Sequence, residues 1–87
     1  MTIESIVSVI EAQTGIRGTY TAAVDWQVED DSIELPNNLS VEIGDGYIGL
    51  SRFVEMGDKF EYTDYGIFSL TRKGIQSLCG RIKEVTT

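Results

Sequence analysis

Carboxylates are the only reactive side chains that this chain offers in number. It holds 14 Asp and Glu, one cysteine and no histidine. The missing histidine removes Ser–His and Cys–His nucleophile pairs, imidazole acid–base catalysis and imidazole metal ligation. What remains is carboxylate chemistry, of which paired acids in glycoside hydrolysis are the standard example. No pair of acids here has a distinctive spacing. A reactive carboxylate also needs a pocket that shifts its pKa, and a chain of 87 residues has little room to build one. The expectation is a protein without enzymatic activity, with no catalytic set and no cofactor.

"EDDSIE" at 29–34 supplies oxygens but lacks the spaced D-x-[DN]-x-[DN]-G pattern with its distal glutamate. Consecutive residues on an extended chain point to opposite sides, so Glu29, Asp30 and Asp31 do not converge without a turn. They read as a turn between strands, and no metal ligand set is assigned. "GDGYIG" at 44–49 contains G-x-G, but it precedes a strand pattern where a nucleotide-binding loop would open a helix. It is a hairpin signal, with no case for a phosphate-binding loop.

"LTRKG" at 70–74 carries more information. Thr71 can cap a helix, and Arg72 and Lys73 then fall in its first turn, where they oppose the helix dipole. Two explanations stand. Thr71, Arg72 and Lys73 form an anion site at the helix N-terminus, or the two cations pair with the acidic middle of the chain. Cys79 sits on the apolar stripe of the same helix and reads as a core thiol.

The net charge is −7 and unevenly spread. Residues 25–64 carry 11 acids against Arg52 and Lys59, whereas residues 65–87 carry Arg72, Lys73, Arg81 and Lys83 against Glu84. An acidic middle disfavours direct nucleic-acid binding over most of the surface. It favours a protein partner with a basic surface, through complementary fields.

The elements that must position these charges follow from periodicity. Ile3, Ile6, Val7 and Ile10 lie at i, i+3, i+4 and i+7, which predicts a helix over 3–14 with Thr2 as cap and Gly15 as stop. Tyr20, Ala22, Val24, Trp26 and Val28 alternate with polar or small residues, a strand with one buried face. After the acidic break come a short strand over Ser32–Leu35, a Pro36–Asn38 turn and a strand over 39–43. "YIGLSRFV" is apolar on both parities, with Ile48, Leu50 and Val54 on one face and Tyr47 and Phe53 on the other. "EMGDK" turns the chain, and extended structure resumes from Phe60 with a kink near Gly66. Ile75, Leu78, Cys79 and Ile82 repeat the helical spacing, interrupted by Gly74 and Gly80.

"FSLTRKGIQSL" resembles the final strand-to-helix step of winged-helix transcription factors, where a Leu-Thr-x-x-Gly-x-x-x-Leu pattern is common. It covers 11 of 87 residues. Everything between Ile16 and Phe68 reads as strands, so the recognition helix of that family is missing and the family is not adopted.

The pattern is therefore a two-layer α+β domain spanning 1–87. An antiparallel meander of four or five strands is flanked by an N-terminal and a C-terminal helix, both packed on one sheet face. The other face is open. By strand parity Asp25, Glu34, Glu42 and Glu61 lie on it, bordered by Glu29, Asp30 and Asp31, and Tyr47 and Phe53 supply aromatic anchors. The expected function is a small acidic interaction module. In its sharpest form it is an inhibitor that occupies the basic nucleic-acid site of a partner, as phage anti-restriction and anti-CRISPR proteins do. The alternative is a nucleic-acid-associated regulator using Arg72, Lys73, Arg81 and Lys83. No disulfide, signal or membrane span is read, so a cytoplasmic location is expected. An edge strand can pair two copies, which leaves a homodimer open.

Overall fold

The computed structural model describes residues 2–21 and 31–86. In chain order the elements are α1 (Ile3–Thr14), β1 (Thr19–Thr21), β2 (Asp31–Glu34), β3 (Leu39–Ile43), β4 (Tyr47–Met56), β5 (Lys59–Ser69) and α2 (Arg72–Thr86). The five strands form one antiparallel sheet in sequential order. From β2 onward, connections of two to four residues leave consecutive strands no other arrangement.

Local chemistry sets the boundaries. The Thr2 hydroxyl accepts the Ser5 N–H and opens α1, and Gly15 closes it in a left-handed conformation at φ 76°. Asn37 and Asn38, both at positive φ, turn β2 into β3, a conformation that asparagine tolerates better than most residues. The Thr71 hydroxyl accepts the Gly74 N–H at 3.1 Å and opens α2.

Both helices cover one sheet face. Ile6, Val7 and Ile10 of α1 and Ile75, Leu78, Cys79 and Ile82 of α2 pack with Ile33, Val41, Ile48 and Leu50 from the sheet. The alternation written in the sequence is thereby used once, on the helix side. Among the described residues no buried side-chain polar atom lacks a hydrogen-bond partner.

Three placements differ from the sequence expectation. Tyr20 has the expected parity, opposite Ile33, but is 42% exposed; β1 is an edge strand, with a neighbour on one side only. The rest of the alternation from Ala22 to Val28 lies outside the described residues. Asp31 does not belong to a turn: it starts β2 opposite Ile43 and so points to the helix side. Glu61 pairs with Val54, which puts it on the helix side as well.

The cause of the third difference is a β-bulge. Leu50 pairs with Gly66 and Ser51 with Asp64, so Tyr65 is an extra residue in β5. Phe68 faces the helices below the bulge, and above it the parity reverses. Gly66 has φ 128°, which favours glycine, and its N–H donates to Asp64 Oδ1 at 2.9 Å. Arg52 secures the bulge from the helix side. Its guanidinium donates to the Tyr65 hydroxyl at 3.0 Å, the Asn37 carbonyl at 3.2 Å and the Val85 carbonyl at 3.3 Å.

Two predictions concern glycines. A Cβ on Gly66 would be strained and would touch the Phe68 ring at 3.4 Å. Gly66→Ala should therefore lose roughly 1–3 kcal/mol of stability in urea unfolding; unchanged stability would argue against the bulge. The two helical glycines should respond in opposite directions. A Cβ on Gly74 would lie 1.9 Å from the Ser69 carbonyl oxygen, whereas one on Gly80 meets nothing within 4 Å. Thermal melts should show Gly74→Ala destabilised and Gly80→Ala stabilised by about 1 kcal/mol.

Candidate functional site

The strand register identifies the open face. Its residues are Thr19 and Thr21 on β1, Ser32 and Glu34 on β2, and Ser40 and Glu42 on β3, followed by alternate residues of β4 from Tyr47 to Glu55. On β5 they are Phe60, Tyr62, Asp64, Ile67 and Ser69. The acids Glu34, Glu42, Glu55 and Asp64 are all here, and no Lys or Arg is, among the described residues. Like charges on neighbouring strands cost a few tenths of a kcal/mol per pair.

Aromatic and aliphatic side chains share this face. Phe53 is 50% exposed, Phe60 64%, Tyr62 61% and Ile67 68%, a concentration that a single core does not require. Phe53 and Phe60 stack with ring centroids 5.2 Å apart. The Tyr47 ring lies against Gly44, in the space that a side chain there would need. Ser51 is only 7% exposed although it sits on the open side.

Two shallow depressions lie between these walls. One, of about 360 Å³, is lined by Glu42, Tyr47, Gly49, Tyr62, Asp64 and Ile67. The other, of about 390 Å³, is lined by Glu34, Ser40, Glu42, Phe53 and Tyr62. Both include Ser51, Glu42 and Tyr62, so together they form one acidic, aromatic-walled groove across β2 to β5. Its floor is made of small residues, Gly49, Ser51 and Ser40.

Of the residues expected to bind a partner, Glu34, Glu42, Tyr47 and Phe53 meet on this face. Asp25, Glu29 and Asp30 lie outside the described residues. Asp31 and Glu61 leave the set because their parity is that of the core. Asp31 instead accepts the Tyr20 hydroxyl at 3.2 Å. Desolvation, and after it the Asp31 charge, raises the Tyr20 phenol above its ordinary pKa.

Sequence reasoning missed Phe60, Tyr62, Asp64 and Ile67 as face residues. Unbroken alternation back from Phe68 puts Tyr62 and Phe60 inside, and the bulge reverses them. The available signal was Asp64 two residues before Gly66, a carboxylate able to take the N–H that a bulge frees.

The second expected site is plainer. Thr71 Oγ is engaged as the α2 cap and lies 3.0 Å from Ser69 Oγ. Arg72 and Lys73 are exposed, and neither forms an ion pair with an acid among the described residues. The expected alternative, pairing with the acidic middle, is thus not seen there; the cations pair locally, as Arg17–Glu11 and Arg81–Glu84. Among the described residues no group of three or more acids or cysteines is placed to hold a metal, and no helix is long and apolar enough to cross a membrane.

Cys79 is fully buried in the core. Burial pushes its thiol pKa up, partly offset by the charge of Lys83. Raising the pKa leaves less thiolate at neutral pH, and the thiolate is the reacting form. Native protein should resist iodoacetamide at pH 7.5 while urea-unfolded protein reacts fully, as read by mass spectrometry; rapid labelling of native protein would contradict this placement.

No protein family, curated protein or solved structure matches the chain.

Proposed function

We propose that this protein is an interaction module whose open sheet face binds a basic surface on a partner protein. One observation carries the reading: the face combines four acids with exposed aromatics and has no base among the described residues. Acids steer a basic partner and reject acidic ones. Aromatics supply the desolvated anchors that hold most of an interface's energy. The long basic side chains of a nucleic-acid-binding protein offer the matching chemistry, so the sharper form of the proposal is an inhibitor that covers such a site.

The test is affinity capture from the native host followed by mass spectrometry. The captured protein should be basic, released by salt, and displaced when its nucleic acid is added. Glu34→Lys with Glu42→Lys should abolish capture while shifting the thermal midpoint little. Equal capture by the double variant would refute the role of the face. Capture that nucleic acid does not displace would leave the interaction standing and refute the inhibitor.

A further inference from the structure

We infer that the depression over Gly49 is a receptor for one arginine side chain of the partner, a refinement that rests on the proposed reading of the face. Gly49 stands between Glu42 on β3 and Ile67 on β5, and Asp64 lies one step further along β5. Its missing side chain makes the hole. A Cβ there would find only the Gly66 carbonyl at 3.8 Å and the Ile67 side chain at 3.9 Å, ordinary contacts. The site is therefore empty for want of a side chain, and the packing around it would accept one.

The lining fits a guanidinium. Tyr47 and Tyr62 both line it, and a planar cation stacks on aromatic rings. Glu42 and Asp64 provide carboxylates from both flanking strands, whose backbones are roughly 10 Å apart. Asp64 is oriented, because one of its oxygens accepts the Gly66 N–H at 2.9 Å. Its other oxygen remains an acceptor for a ligand. A guanidinium can stack and donate in its plane at once, whereas an ammonium is a compact, strongly hydrated charge. Ile67, 68% exposed at the rim, offers an apolar surface to the aliphatic stem of the side chain.

N-acetyl-arginine amide is the probe, titrated into the isotope-labelled full chain and followed by NMR. Saturable shifts are expected at Gly49, Glu42, Asp64 and Ile67. N-acetyl-lysine amide should bind about three- to tenfold more weakly. Gly49→Leu should abolish saturation by filling the hole, with the rest of the amide spectrum preserved. Asp64→Asn can still accept the Gly66 N–H, so its expected loss of about tenfold reports the charge. Absent saturation, equal lysine binding or an unaffected Gly49→Leu would each overturn the receptor. Failure here is separable from failure of the face. A Gly49→Leu variant that still captures the partner, while Glu34→Lys with Glu42→Lys does not, removes the arginine receptor alone.

Discussion

The extra residue in β5 is the constraint on which the surface of this protein depends. Were Tyr65 paired in regular register instead of bulged, the alternation that places Phe68 in the core would carry Asp64, Tyr62 and Phe60 to the helix side and Glu61 to the open side. The one bulged residue thus puts Phe60, Tyr62 and Asp64 on the open face in place of Glu61 and Thr63. The bulge is held on both sides. The Asp64 carboxylate takes the Gly66 N–H, and Arg52 takes the Tyr65 hydroxyl and lies 5.5 Å from its ring centroid. Arg52 also reaches the Val85 carbonyl near the end of α2, where a cation suits the helix dipole, and the Asn37 carbonyl in the β2–β3 turn. The bulge, the turn and the last helix are therefore one mechanical unit.

That unit also marks where the core stops. β3 pairs with β4 only as far as Arg52, so Phe53–Met56 and Lys59–Tyr62 continue as a two-stranded ribbon. A ribbon of two strands is marginal by itself. Here it carries Phe53 stacked on Phe60, which recovers some apolar contact without a covering layer. Fully burying one such side chain is worth roughly 1.5–3 kcal/mol, and most of that remains unrealised while the rings stay half exposed.

Most of the architecture was legible in the sequence because it rests on local signals. The i, i+3, i+4, i+7 stripes, the Thr2 and Thr71 caps, the paired asparagines and the glycine turns each act over a few residues. The two glycines of α2 look alike in the sequence, yet only Gly74 meets another backbone, at Ser69. Parity was legible only up to the first irregularity. Glu34 and Glu42 keep their predicted face because β2 and β3 are regular. Glu61 does not, because counting by two fails across a bulge. Asp31 was misplaced for a related reason: a run of three acids looks like a turn, yet its last member shares the parity of Ile33.

The composition of the open face is more than solubility asks for. Acids distributed anywhere would keep a small domain in solution, and polar residues in place of Phe53, Phe60, Tyr62 and Ile67 would do so better. Rings kept exposed beside carboxylates mean that two demands act on the same surface. A face with four acids and no described base repels a second copy of itself, so self-association through it is opposed by charge. The free edge of β5 is a separate matter, and its bulge makes it a poor template for regular strand addition. A basic partner satisfies both demands at once, since it neutralises the acids in the same contact that covers the rings. Under the proposed reading, the bulge is what brings those two chemistries onto one face.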